Sequence, residues 1–311
     1  MSVIRLRLLM VLPFVLWGTA MTAMAPLLSS GGSWLVASLR LLPAGAALLG
    51  WVVFSGRRLA IDRRDLGWFA LFTLIDACLF QGLLAHGLEG TGAGLGSVLI
   101  DCQPLVVALL ARALFAESIN PVGWVGLGCG LAGIFCLGVP AELLGHWWLF
   151  PDLPVVSQVL QPGEVTMLFA ALAMAFGTVL IRFASRYSDP VAITGWHMLI
   201  GGLPLLIIAE FSHGFFLPVW SGLDWARMIY ASVLGSALAY GLFFWFANRS
   251  DLTSFSSLGF LTPVFALTTG GMFLGERLEP LQWIGVVMVL LSVICVSQRR
   301  RLWEPVGRLE S

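Results

Sequence analysis

Leu114-Phe115-Ala116-Glu117-Ser118-Ile119-Asn120-Pro121-Val122-Gly123-Trp124-Val125-Gly126 returns 159 positions later as Phe273-Leu274-Gly275-Glu276-Arg277-Leu278-Glu279-Pro280-Leu281-Gln282-Trp283-Ile284-Gly285. The acid, proline, tryptophan and last glycine recur in register. The same shift aligns Gly18-Thr19 with Gly177-Thr178, Gly82 with Gly241, and Pro104-Leu105-Val106 with Pro263-Val264-Phe265. One constant offset over so much of the chain marks an internal duplication.

The duplicated material is apolar. Hydrophobic residues make up 59% of the 311, charged residues 11%, and the mean hydropathy is +0.92. That is more apolar side chain than one water-facing core can bury, so the solvent of this chain is mostly lipid. A hydrocarbon core about 30 Å thick takes roughly 20 apolar residues rising 1.5 Å each. Runs of this kind fall at about 8–28, 34–54, 66–86, 94–114, 121–139, 163–183, 190–210, 226–247, 254–274 and 280–298. Arg5-Leu6-Arg7 and the Ala23-Met24-Ala25 box imitate a secretion signal, but Pro26 disfavours cleavage and the run is long enough to span. It is therefore kept as the first helix.

Five spans per copy is an odd number, so the two copies insert with opposite topology. The expected fold is an all-α integral membrane protein of ten transmembrane helices, arranged as two inverted five-helix repeats. The expected organisation is a first repeat over 1–139, an outer linker over 140–162, a second repeat over 163–298 and a basic tail over 299–311. Within the linker, Trp147-Trp148 suits an interfacial stretch.

All 17 basic residues are arginine. With both termini inside, the inner segments hold Arg5, Arg7, Arg57, Arg58, Arg63, Arg64, Arg112, Arg182, Arg186, Arg249, Arg299, Arg300, Arg301 and Arg308. The outer segments hold Arg227 and Arg277, and Arg40 lies within the second span. Positive charge stays cytoplasmic near helix ends, so both termini are expected in the cytoplasm.

Several functions lose support. A P-loop needs lysine, and there is none. The histidines lack metal-ligand spacing, no G-x-S-x-G occurs, and Cys78, Cys102, Cys129, Cys136 and Cys295 lie in apolar runs without a C-x-x-C pair. The formal net charge of +0 gives no reason to expect nucleic acid. No cofactor is expected.

Thr262-Pro263, Phe273-Leu274-Gly275-Glu276-Arg277 and Gln282-Trp283-Ile284-Gly285, echoed by Gln103-Pro104, Glu117 and Trp124-Val125-Gly126, resemble the drug/metabolite transporter superfamily in its ten-helix EamA-type branch. The resemblance runs from Trp17-Gly18 to about Ser297. It implies export or exchange of small metabolites without ATP, in a bacterial cytoplasmic membrane. His197, Asp76 and Asp101 stand outside the general pattern of that family.

Ionisable groups inside a membrane are costly and usually face a bundle interior or a watery cavity. Arg40 and Asp101 lie at similar depth, roughly 10 Å from the outer surface, and are placed to pair. The pair either fixes helix packing or has Arg40 attract a substrate carboxylate while Asp101 modulates it. Asp76, near midplane, is expected in a cavity as a proton acceptor or amine ligand, because its counterpart is Gly235 and the shared fold does not demand an acid there. His197 is expected to be a hydrogen-bonded helix contact rather than a proton relay. Pro104 and Pro263 break equivalent helices and free carbonyls that can line a cavity. Gln81, Gln103, Tyr240, Thr178 and Thr262 lie beside these features, and Trp17 and Trp196 are candidates for shaping an apolar or aromatic pocket. Glu117 and Glu276 read as acidic start signals for the helices at Pro121 and Pro280.

The leading expectation is a secondary carrier for an amino-acid-like or other small organic metabolite, with protons as candidate coupling ion, acting as a monomer or homodimer in the bilayer. A nucleotide-sugar or sugar-phosphate exchanger needs several convergent cations, and the spans offer one. A membrane-embedded enzyme or sensor would want a nucleophile with its base, a metal cluster or an appended domain.

Overall fold

The computed structural model describes residues 3–138, 162–213, 218–274 and 280–303, and among them every regular element is helical. Nine helices are long and apolar enough to cross a membrane. They are α1 (Arg5–Gly31), α2 (Ser33–Phe54), α3 (Leu66–Thr91), α4 (Gly96–Phe115), α6 (Pro162–Ala184), α7 (Pro190–Ser212), α8 (Gly222–Ala247), α9 (Leu252–Met272) and α10 (Pro280–Ser297). Between α4 and α6 lies the shorter apolar helix α5 (Pro121–Leu137), and a short α11 (Arg299–Trp303) follows α10. Each apolar run read from the sequence corresponds to one of α1 to α10. The expected linker and its Trp147-Trp148 stretch, together with Glu276 and Arg277, lie outside the described residues.

The helices are not uniform, and their irregularities recur at nearly the repeat offset. Thr73–Phe80 in α3 and Val233–Leu238 in α8 are π-helical. Helix α4 is interrupted at Asp101 and Cys102 before Gln103, while α9 passes through a tighter 3-10 turn, Ser257–Leu261, before Thr262. The proline after each of these breaks, Pro104 or Pro263, sits in the first turn of the helix that follows, where its missing N–H leaves no bond unmade. The sequence gap between the third and fourth runs is not a coil, because helical bonding continues through Ile100. The chain nonetheless doubles back there: a Cβ on Gly96 would lie 2.6 Å from Leu88 Cδ2, whereas eight residues of straight helix span about 12 Å.

Packing follows the duplication. Helix α2 packs on α7 and α5 on α10, each against its own counterpart; α1 leans on α8 and α9 as α6 leans on α3 and α4. Gly126 and Gly130, spaced as a close-approach motif in the sequence, both face within the chain, where a Cβ would meet Val296 and Ser292 of α10. Gly133 and Gly285 are reciprocal, since a Cβ on either would come within 2.9 and 2.7 Å of the carbonyl oxygen of the other. Gly133→Val should therefore destabilise the protein by about 2 kcal/mol through overpacking, read as a lower melting temperature in detergent. Gly128→Ala, where a Cβ meets nothing within 4 Å, should leave the melting temperature unchanged.

Large apolar side chains such as Phe54, Phe211, Val125, Met272 and Val287 are exposed around the bundle. Apolar surface this extensive fits acyl chains rather than water.

Loops carrying the arginines are bonded together at one end of the bundle. Asp65, buried, accepts from the Tyr187 amide at 2.9 Å and the Ser188 hydroxyl at 2.7 Å, and Arg57 pairs with Asp189 at 2.9 Å. Glu117 corrects the expectation of a local helix start. Its carboxylate caps α9 instead, accepting from Leu252 N at 2.9 Å, Thr253 N at 3.1 Å and Thr253 Oγ1 at 3.0 Å. Arg182 of α6 pairs with the same carboxylate at 3.5 Å, donates to the Ala247 and Ser250 carbonyls, and lies 4.7 Å from the Phe115 ring centre.

Arg299, 2% exposed, donates to both oxygens of Asp251 at 2.9 Å. Burial works against the charge on Asp251, but the Ser254 amide and the Arg299 guanidinium outweigh it and hold the carboxyl below its ordinary value. A lowered carboxyl contributes stability that is present above its unfolded value, about 3.9, and is lost as pH falls through the folded value. Arg299→Ala should thus cost about 3 kcal/mol at neutral pH. The gap to wild type should narrow below about pH 4 in thermal unfolding across a pH series.

Candidate functional site

The helix breaks converge on a small cavity in the bundle. Trp17, Met21 and Met24 of α1, Arg40 of α2, Phe80 and Leu84 of α3, Asp101 of α4, Met174 of α6, Tyr240 of α8 and Thr262 of α9 line it. Its volume is about 30 Å³, the share of one water molecule in the liquid. Pockets that hold metabolites measure roughly 300 to 1,000 Å³. A larger groove of about 680 Å³, lined by Leu6, Leu48, Trp51, Leu234 and Leu242 among others, is almost wholly apolar.

Arg40 is 4% exposed and donates to Gln81 Oε1, and the Tyr240 hydroxyl interacts with both residues. Its backbone carbonyl accepts from Ser232 of α8 at 2.8 Å, fixing α2 against α8 at this level. Asp101 shares the cavity with Arg40 but makes no ion pair with it among the described residues, so the pairing expected from equal depth does not form. Four polar atoms around the cavity have no hydrogen-bond partner among the described residues: Trp17 Nε1, Arg40 Nε, Asp101 Oδ2 and Thr262 Oγ1. Buried polar atoms are normally bonded, so a group of orphans around one cavity marks a place built for something else to bond.

A second constellation lies apart from the cavity lining. Asp76, inside the π segment of α3, has its Oδ2 3.0 Å from His197 Nε2 of α7, and both side chains are fully buried. His197 Nδ1 lies 2.5 Å from the Thr194 carbonyl. Phe72 and Phe244 cover the imidazole, with ring centres at 4.4 and 5.6 Å. Gly177 of α6 faces the Asp76 carboxylate so closely that a Cβ there would collide with Oδ1.

Of the other candidates, Gln103 and Thr178 meet each other: Gln103 Nε2 donates to Thr178 Oγ1 at 3.0 Å, joining α4 to α6 just past the break. Trp196 is not brought to either constellation. Its indole donates to the Leu59 carbonyl at 3.0 Å in the α2–α3 loop, among the arginine-bearing segments. Pairing of Asp76 with His197 escapes a reading by depth. The hint in the sequence is that both are ionisable where the repeat partner is not, Asp76 matching Gly235 and His197 matching Ser38.

A ten-helix membrane bundle with a buried, charged cavity at duplicated helix breaks has the architecture of a membrane transporter. The sequence profile of the EamA-like transporter family matches residues 6–139 and again 161–298, and the chain belongs to that family, within the drug/metabolite transporters. It is 48% identical over 305 residues to the "uncharacterized transporter sll0355" of Synechocystis sp., covering 96% of this chain and 92% of that protein. It is 43% identical over 304 residues to the chloroplastic WAT1-related protein At3g02690 of Arabidopsis thaliana, covering 92% and 67%. A solved crystal structure shares the fold with a TM-score of 0.75 at 16% identity, covering 96% of this chain and 98% of the other.

Proposed function

We propose that the protein is a secondary carrier that exports an amino-acid-like or other small organic metabolite by alternating access. Its two five-helix repeats are oppositely inserted, and it sits in a bacterial cytoplasmic membrane with both termini inside. Reciprocal packing of α2 on α7 and α5 on α10 supports the repeat arrangement, because odd-numbered copies joined in series have to face opposite ways. One observation carries the substrate reading: Arg40 and Asp101 share a cavity with four orphaned polar atoms, which suits a small molecule bearing both charges. A cavity of water size requires the helices to part before such a molecule enters.

Proton coupling through Asp76 or Asp101 supplies the driving force in this reading, since both acids are buried inside the spans, where ionisable side chains are costly to keep without a role. An exchanger of nucleotide sugars is disfavoured because the cavity offers one cation for several phosphate charges. Purified protein in liposomes, given labelled leucine with and without a pH gradient, tests the proposal. Gradient-driven accumulation supports it, while flux indifferent to the gradient and to Asp76→Asn removes the proton from the mechanism.

A further inference from the structure

We propose that Asp76 and His197 together bind one proton at a site separate from the metabolite cavity, and that this proton sets the π-helical turn holding Gln81 against Arg40. The proposal deepens the carrier reading and rests on its placing of Arg40 in the transport cavity.

The hydrogen-bond geometry counts the protons. A carbonyl only accepts, so the contact of His197 Nδ1 with Thr194 O requires hydrogen on Nδ1. At the other nitrogen, 3.0 Å from Asp76 Oδ2, one further proton is shared: either the acid donates to Nε2 or Nε2–H donates to the carboxylate. Removing it leaves two lone pairs facing each other. Switching the tautomer moves the same conflict to Thr194. Both contacts together thus exist only with the proton bound.

The surroundings offer no substitute. Helix α6 presents Gly177, and α8 presents Phe244 and the Tyr240 hydroxyl, whose electrostatic reach extends to Asp76. Phe72 and Cys78 come from α3 itself, the Cys78 thiol donating to the Gly201 carbonyl of α7 at 3.6 Å. Among the described residues, neither Asp76 nor His197 has another ion-pair partner. Arg40 donates to Gln81, and Tyr240 lies within electrostatic reach of both Arg40 and Asp76.

The two π segments lead straight to Arg40. Thr73–Phe80 ends one residue before Gln81, and Val233–Leu238 ends two before Tyr240. Both residues interact with the Arg40 side chain. A π turn holds one residue more than an α turn, and each residue rotates an α-helix by about 100°. Relaxing Thr73–Phe80 to α-helix therefore swings Gln81 away from the guanidinium. Asp76 lies within this segment, whereas its counterpart in the second segment is Gly235, which has no side chain to hold. Proton dependence is built into one repeat only.

Infrared difference spectra and amide hydrogen exchange on the purified protein, taken between about pH 4 and 9, test this without a substrate. A carboxylic-acid band should titrate in wild type and in Asp101→Asn and be absent from Asp76→Asn, with its midpoint moved in His197→Gln. The protection factor across 73–81, which is exchange corrected for the intrinsic acceleration of amide exchange with pH, should fall about tenfold as the band disappears, the ratio expected of one lost hydrogen bond, and should be independent of pH in Asp76→Asn. Survival of that same band in Asp76→Asn, or a wild-type protection factor that ignores pH, overturns the proposal. The wild-type exchange series stands even where a variant folds poorly. Failure to move any metabolite would sink the carrier reading and leave these spectra untouched.

Discussion

Arg40→Met should cut metabolite flux in liposomes by at least about thirtyfold, while the protein still purifies as a folded bundle. The guanidinium is the one cation of the cavity wall among the described residues, and losing a desolvated charged contact to a ligand costs roughly 2 to 5 kcal/mol, or about one and a half to three and a half decades in affinity. Arg40→Lys should not restore flux, because a point charge cannot reach Gln81 and Tyr240 together with a substrate carboxylate as the planar fork does. Labelled leucine uptake, normalised to protein with wild-type melting behaviour, gives the measurement. Flux within twofold of wild type in Arg40→Met would assign this arginine to packing alone.

The largest loss of stability is expected from Glu117→Ala. One carboxylate there satisfies two backbone amides and a hydroxyl at the start of α9 and pairs with Arg182 of α6. Truncation leaves those donors and a half-buried guanidinium without their acceptor, at a cost of about 4 kcal/mol. At about 2 to 4 °C per kcal/mol, the melting temperature in detergent should fall by roughly 10 °C. Glu117→Gln, which keeps an oxygen for the amides, should fall by less. Equal losses in both variants would mean that the charge itself, rather than the cap, holds the helices.

Glu117 also shows where sequence reasoning reaches its limit. Reading it with the nearest helix start assigns it to α5, four residues on. Ala116 has φ 54°, in the left-handed region, and this turn sends Glu117 towards α9 instead. The signal is present in the duplication, because the residue matching Ala116 is Gly275, the type that adopts such a φ without strain. Read as a pair, the two positions ask for a turn rather than a helix start.

The ten helices were legible because lipid demands long apolar runs, and arginine asymmetry separates them. Breaks at Pro104 and Pro263 were legible for a similarly local reason, the missing amide. Depth alone put Arg40 and Asp101 at one level, and both line the cavity, yet depth says nothing about rotation, so the expected ion pair did not follow. Rotation also hid Asp76 from His197. Two π turns reset the face that α3 and α8 present, and a turn of that kind has no residue signature. Trp196 went astray likewise: it neighbours His197 on α7, but about 100° of helical rotation sends its indole to the Leu59 carbonyl.

Alternating exposure of the cavity is the claim on which the rest depends. With Cys78, Cys102, Cys129, Cys136 and Cys295 replaced by alanine, Met21→Cys places a single thiol on the cavity wall for a membrane-impermeant alkylating reagent. The account predicts slow labelling from either side of the membrane, in proportions that shift when the cavity is biased to one face. Labelling from neither face, or only by reagents dissolved in the lipid, would contradict it.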